Sequence, residues 1–143
     1  MEIGKYSFPD ELYYHKEHCW AKVEGDEVVV GITDFTQQLA GEIKRIATLE
    51  EEDEVTQDKP YGTVSSGKWT GKIYSPVSGE ITEINEDIED NPKLANDDPY
   101  GEGWIIKISP SNLEGDLAKL MKTGPEFETY YNEQIKLKEA EMK

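Results

Sequence analysis

Residues 61–80 read Tyr61-Gly62-Thr63-Val64-Ser65-Ser66-Gly67-Lys68-Trp69-Thr70-Gly71-Lys72-Ile73-Tyr74-Ser75-Pro76-Val77-Ser78-Gly79-Glu80. Val64 closes one β-favouring run and Ile73-Tyr74 opens the next. The Ser, Gly and Lys residues between them are turn chemistry. Gly67 can take a positive φ, which closes the turn and lifts Lys68 to its tip. Pro76 and Gly79 mark a second bend before Ile81 and Ile84 continue the sheet. A lysine at a hairpin tip has a flexible stem and full solvent access, which suits acyl attachment by a second protein. The plain alternative is a solubilising turn lysine, and the turn alone favours it, because lysine is common in loops.

Working outward, similar strand signals recur on both sides. Cys19-Trp20-Ala21-Lys22-Val23 and Val28-Val29-Val30-Gly31-Ile32 flank a Glu24-Gly25-Asp26 hairpin turn. Thr33 or Asp34 can cap a short helix through Ala40 that Gly41 stops. Residues 42–49 alternate polar and apolar, as a half-buried strand does. The acidic run Glu50-Glu51-Glu52-Asp53-Glu54 has no recurring ligand spacing and reads as a solvated loop, not a cation site. Asn85 to Asp98 reads as a short helix and loop, and Trp104-Ile105-Ile106-Lys107-Ile108 as an apolar strand. Ser111 can cap a helix carrying Leu113, Leu117, Leu120 and Met121 at helical spacing. After Gly124-Pro125, a second helix begins near Glu126, with Phe127, Tyr130, Tyr131, Ile135 and Leu137 partly on one face. It is expected to dock on its own body.

Many short strands with Gly and Pro turns, and helices gathered at one end, predict a mainly β, sandwich-like fold. The chain divides into an N-terminal arm, 1–17, in which Phe8-Pro9 and Tyr13-Tyr14 pack on the body. A β body follows over 18–110, then a helical extension over 111–143.

The 143 residues include 15 basic and 31 acidic ones, for a formal net charge of −16. Such a surface repels phosphate backbones and anionic lipid, so no nucleic acid or membrane is expected as a partner. It suits transient docking on basic protein faces. The single cysteine, Cys19, excludes an internal disulfide. With no apolar run of membrane-spanning length and no leader pattern, a cytoplasmic monomer is expected.

Catalytic patterns are sparse. His18 and Cys19 lack the further ligands a zinc site needs. As strand neighbours they are expected to face opposite ways, which argues against a nucleophile pair. No nucleophile elbow, P-loop or dinucleotide fingerprint is present. Trp69 stands out, because an exposed indole beside the tip lysine hints at a contact with the arm or with a partner protein.

From about His18 to Pro110 the chain resembles the H-protein family of the glycine cleavage system. The resemblance rests on Val30-Gly31-Ile32-Thr33-Asp34, on Ser75-Pro76-Val77-Ser78-Gly79-Glu80, on Asp98-Pro99-Tyr100 and on Gly103-Trp104-Ile105-Ile106-Lys107-Ile108. These follow the family's order and its spacing relative to Lys68. The resemblance implies a barrel-sandwich hybrid of the lipoyl-domain type with flanking helices. It implies covalent lipoate on Lys68 and a non-catalytic role carrying the aminomethyl group of glycine. The implied partners are glycine decarboxylase, aminomethyltransferase, dihydrolipoamide dehydrogenase and a lipoate-attachment enzyme. A biotin carrier is disfavoured, because Lys68 lacks flanking methionines.

The chain departs from the family where the arm would act. The lysine motif, usually Glu-Ser-Val-Lys-Ala, is Ser65-Ser66-Gly67-Lys68-Trp69. Ser65 stands where attachment enzymes expect a carboxylate. Family members usually read Ser-His-Glu-Trp where this chain has Glu17-His18-Cys19-Trp20, so Cys19 replaces the Glu that contacts a charged adduct. Phe35 replaces a frequent His, and Lys72 a frequent acid. Ser65, Gly67, Trp69, Cys19, Phe35 and Lys72 are therefore the expected arm or partner contacts. The loss of negative charge opens one alternative, an H-like lipoate-binding carrier of sulfur intermediates in heterodisulfide-reductase-like sulfur oxidation; a second, of another class, is an unmodified interaction protein whose lysine is no longer lipoylated.

Overall fold

The computed structural model describes residues 1–67 and 69–141; Lys68, the tip lysine, lies outside the described residues. Its strands are β1 Glu2–Ile3, β2 Tyr6–Ser7, β3 Tyr13–His15, β4 Cys19–Glu24, β5 Glu27–Ile32, β6 Arg45–Thr48, β7 Glu54–Val55, β8 Pro60–Ser65, β9 Thr70–Tyr74, β10 Gly79–Ile84 and β11 Ile106–Pro110. Its helices are α1 Asp34–Ala40, α2 Glu86–Asp90, α3 Leu94–Asp97, α4 Leu113–Leu117 and α5 Pro125–Glu141. The fold is a mainly β barrel-sandwich of the lipoyl-domain type with short flanking helices. All strand pairings are antiparallel. A six-stranded sheet runs β3-β4-β5-β11-β10-β7, a three-stranded sheet runs β6-β8-β9, and β1 and β2 form a ribbon.

The β8–β9 hairpin pairs Val64 with Gly71 and Ser65 with Thr70, so β9 begins at Thr70, three residues before the expected Ile73. Ser66 N–H donates to the Trp69 carbonyl at 2.8 Å and closes the tip. Gly67 takes φ +72°, as the turn reading requires. At the base of the same hairpin Gly62 is indispensable for a different reason. A Cβ there would lie 2.1 Å from the Ala47 carbonyl oxygen of β6, so only glycine lets the two strands pair.

Two apolar clusters sit inside. The first fills the space between the sheets with β-branched residues, among them Val30, Ile32, Val64, Ile81, Ile106 and Ile108. β-Branched side chains pack well on pleated surfaces, and their alternation along each strand turns them inward. The second cluster is aromatic and knits the termini together: Tyr6, Phe8 and Tyr14 meet Trp20, Phe127 and Tyr131. Phe8 meets Phe127 edge to face at 5.1 Å and Tyr131 at a tilt at 4.6 Å between ring centroids. Through these rings the N-terminal segment and α5 both pack on the body.

The cap reading at α1 holds. Thr33 Oγ1 accepts from Thr36 N–H at 3.2 Å, and Gly41 N–H closes the other end on Gln37. The strand read over residues 42–49 shortens to β6, and the strand read from Trp104 starts at Ile106. The tail helix read from Ser111 to Met121 shrinks to α4. Its N-cap is Asn112, without a side-chain cap bond. Met121 and Tyr14 exchange two backbone hydrogen bonds of 2.8 Å each, and this bridge takes residue 121 out of any helix. Tertiary pairing here overrides helical spacing.

Candidate functional site

The tail of β3 and its turn build one side of the site. His15 is buried, and its Nδ1 accepts from the Glu17 N–H at 3.0 Å. Its Nε2 therefore carries the proton and donates to Asp58 Oδ1 at 2.5 Å. This bond holds the Asp58 carboxyl below the usual carboxylate range and ties β3 to the loop preceding β8. His18 N–H then donates to the His15 carbonyl at 2.9 Å, and His18 itself takes φ +67°. Its own carbonyl accepts from Thr36 Oγ1 at 2.7 Å and Thr33 Oγ1 at 3.2 Å. The left-handed turn is thus held from α1.

This conformation overturns the expectation that His18 and Cys19 face opposite ways. His18 is a turn residue, not a strand residue, so both line one cavity of about 180 Å³. Its floor is apolar, with Ile32 at the end of β5, Phe35 and Leu39 on α1, and Ile73 on β9. Trp69 and Lys72 approach from the hairpin and Lys138 from α5. Trp69 is 38% exposed, and its ring folds back over Gly71, where an added Cβ would meet it at 2.3 Å. Cys19 Sγ donates to the Tyr74 carbonyl at 3.2 Å. Burial raises the pKa of this thiol strongly, with Glu17 and Asp58 adding to the rise, so it stays neutral and is a poor nucleophile.

Of the expected contacts, Cys19, Phe35, Trp69 and Lys72 meet at this cavity. Ser65 and Gly67 do not. Ser65 pairs with Arg45 and Thr70 in the sheet. Gly67 is exposed, and a Cβ added to it would meet nothing within 4 Å. The residues not foreseen are Lys138 and Tyr131. The His18 Nδ1 and Tyr131 Oη hydrogen-bond at 3.0 Å across 113 positions of chain. The only advance signal was the aromatic pair Tyr130-Tyr131 on the second tail helix.

Burial lowers the His18 pKa to about 4, with Lys138 and His15 adding to the fall. A base whose folded pKa lies below its unfolded one costs stability when the unfolded state binds the extra proton. That contribution is therefore fully present above about pH 6.5 and is lost as pH falls from there towards 4. His18→Asn, which tolerates the left-handed turn, is expected to remove on the order of 2 kcal/mol of this acid sensitivity. Urea midpoints measured at pH 7 and pH 4.5 check it; equal pH slopes in the two proteins would contradict the assignment.

A barrel-sandwich body, with a hairpin tip set beside an aromatic-walled cavity, defines a protein of the lipoyl-domain class. The family described as glycine cleavage H-protein matches residues 12–134. The glycine cleavage system H protein of Halalkalibacterium halodurans is 46% identical over 106 residues, spanning 74% of this chain and 83% of the relative. A probable glycine cleavage system H protein of Pyrococcus abyssi is 45% identical over 122 residues, spanning 85% and 90%. The crystal structure of a glycine cleavage system H protein from Mycobacterium marinum superposes with a TM-score of 0.70 at 30% identity. It covers 73% of this chain and 87% of that one. The chain belongs to the glycine cleavage H-protein family. These relatives do not favour the sulfur-oxidation alternative. Among the described residues no helix is long and apolar enough to cross a membrane.

Proposed function

We propose that this chain is the lipoyl carrier of a glycine cleavage system, with lipoate in amide linkage to Lys68. The observation that carries the reading is the position of Lys68 in the sequence of a family member, between Gly67 and Trp69 in the segment that joins β8 to β9. The cavity fits such a group. Its apolar floor of Ile32, Phe35, Leu39 and Ile73 suits the hydrocarbon and sulfur of a lipoyl chain. When attached, the group supplies a disulfide that takes up the aminomethyl unit of glycine and is regenerated by oxidation.

The chain's own residues perform the mechanical part. The hairpin is held in the three-stranded sheet by β6, which pairs along β8 from Arg45–Ser65 to Thr48–Gly62, and this fixes Ser65 and Thr70, the paired strand ends on either side of the tip. Tethering then keeps the reactive end at high effective concentration beside each partner in turn. Cys19 stays protonated and His18 neutral near pH 7, so neither diverts the arm's chemistry. We assign the carrier body to 18–110, the N-terminal arm to 1–17 and the helical extension to 111–143. The protein acts in the cytoplasm as a monomer. Its partners are glycine decarboxylase, aminomethyltransferase, dihydrolipoamide dehydrogenase and a lipoate-attachment enzyme. The acidic surface, at −16 overall, favours fast electrostatic docking on basic faces of these enzymes.

The test is loading. Lipoylated protein incubated with glycine and a glycine decarboxylase is expected to gain an aminomethyl-sized mass on the arm. A lipoylated chain that stays unloaded with decarboxylases from several relatives would contradict the assignment to glycine cleavage.

A further inference from the structure

The negative charge of the molecule is not spread evenly. Residues 59–79 contain no Asp or Glu, the longest such run in a chain with 31 acids, and residues 43–49 contain none either. These two segments supply the whole three-stranded sheet β6-β8-β9. The register sets Arg45 beside Ser65 and Thr70, and Ala47 beside Thr63 and Lys72. Cross-strand neighbours share a face, so these six side chains form one surface. Their alternates Ile46, Val64 and Ile73 are buried in the first apolar cluster, which leaves the six on the solvent side. Arg45, Thr63, Thr70 and Lys72 are exposed. Other exposed cations have carboxylate partners: Lys22 meets Glu24 at 3.2 Å, and Lys44 meets Glu42 at 3.0 Å. Arg45 and Lys72 form no ion pair among the described residues. In a protein of net charge −16, this face therefore offers two cations and three hydroxyls and no carboxylate. Its last row, Arg45-Ser65-Thr70, borders the segment that carries Lys68.

We infer that the outer face of the three-stranded sheet is a docking surface for a carboxylate-bearing protein face, the rim of the active-site mouth in the enzyme that loads the arm. This rests on the carrier reading of Lys68, because a partner that takes the tip must also meet the sheet beside it. Guanidinium, ammonium and hydroxyl groups all donate hydrogen bonds, and carboxylates are the acceptors that match them in charge as well. A phosphate backbone or an anionic bilayer does not fit. Two cations are too few for it, and the remaining surface repels an extended polyanion. The acidic remainder of the body is drawn to basic surface around the mouth and repelled by the rim itself. The change of sign across the molecule thus orients the carrier tip first.

Two readouts on the full chain test this. The first is NMR relaxation of backbone amides with freely diffusing nitroxides, one bearing a carboxylate and one an ammonium group. In about 0.1 M salt, charges beyond about 10 Å are screened, so each amide reports its own surroundings. The carboxylate probe is expected to relax Ala47, Thr63 and Thr70 more than the ammonium probe does, and the order to reverse at Glu86–Asp90. Equal relaxation at the sheet would overturn the proposal. The second readout is loading of the lipoylated chain by a glycine decarboxylase. Arg45→Glu with Lys72→Glu is expected to raise KM at least about fivefold with kcat within about twofold of wild type. Lys72 also borders the cavity, so Arg45→Glu alone separates docking from cavity effects, and a rise in KM of at least about twofold is expected. Lys119→Glu with Lys136→Glu makes the same change of net charge at exposed positions off the sheet and is expected not to raise KM. An unchanged or lowered KM in the folded sheet variants, or an equal rise in the control pair, would overturn the docking face and leave the carrier reading standing. Binding of a DNA duplex or of anionic vesicles at the sheet would assign the face to another kind of partner and overturn it too. Intact mass after incubation with a lipoate ligase reads the carrier assignment separately. A chain that takes no lipoate would remove the loading enzyme as the occupant, whatever charge the nitroxides report.

Discussion

Lys68→Arg is expected to abolish turnover in a glycine cleavage system reconstituted with this chain, while thermal stability stays within about 0.5 kcal/mol of wild type. Arginine keeps the charge and the length of the stem. Its guanidinium, however, stays protonated throughout the accessible pH range and forms no stable amide with lipoate. The loss should therefore be complete, not graded. The fold has no reason to respond, because the neighbours Gly67 and Trp69 are both exposed and the paired strands end at Ser65 and Thr70. Glycine-dependent carbon dioxide exchange, measured beside a melting curve, separates the two readouts. Residual turnover above background with Lys68→Arg would mean that another group carries the cargo.

Tyr131→Ala is expected to cost about 3–5 kcal/mol, the largest effect on stability of the changes considered. Tyr131 is fully buried. Its ring lies 4.6 Å from Phe8, 4.7 Å from Phe127 and 5.4 Å from both Phe35 and His18, centroid to centroid. Removing it empties the junction where the N-terminal arm, α1 and α5 meet. The surrounding rings cannot collapse into the space without leaving their own contacts. Tyr131→Phe keeps the ring and loses only the bond to His18, so about 1 kcal/mol is expected. Denaturant midpoints of the two variants give the comparison. If Tyr131→Ala cost no more than Tyr131→Phe, α5 would contribute little to the folded body.

Much of the body was legible because its signals are local. Glycine at positions 25 and 67, the Thr33 cap and the alternating β-branched strands each act within a few residues, and each is found where the pattern puts it. The cavity was legible only in part. Cys19, Phe35, Trp69 and Lys72 are near known landmarks of the family pattern, so departures there could be noticed. The geometry of His18 could not be read. Its positive φ depends on the hydroxyls of Thr33 and Thr36, which come from 15 and 18 residues away in the chain. Lys138 and Tyr131 reach the site through the packing of α5, a contact across more than a hundred residues that no local pattern encodes. The tail misled for the same reason. Leucines at helical spacing after Ser111 suggested a long helix, and the bridge between Tyr14 and Met121 ended it early.

Ser65 bears most directly on the central claim, because it stands where an attachment enzyme of this family would meet a carboxylate. The deciding measurement is the intact mass of the purified protein after incubation with lipoate, ATP and a lipoate ligase, with Lys68→Arg in parallel. A single lipoyl-sized increase in the wild type, absent from the variant, is the predicted result. No increase in the wild type with ligases from several relatives, or an equal increase in Lys68→Arg, would contradict a carrier function at this lysine.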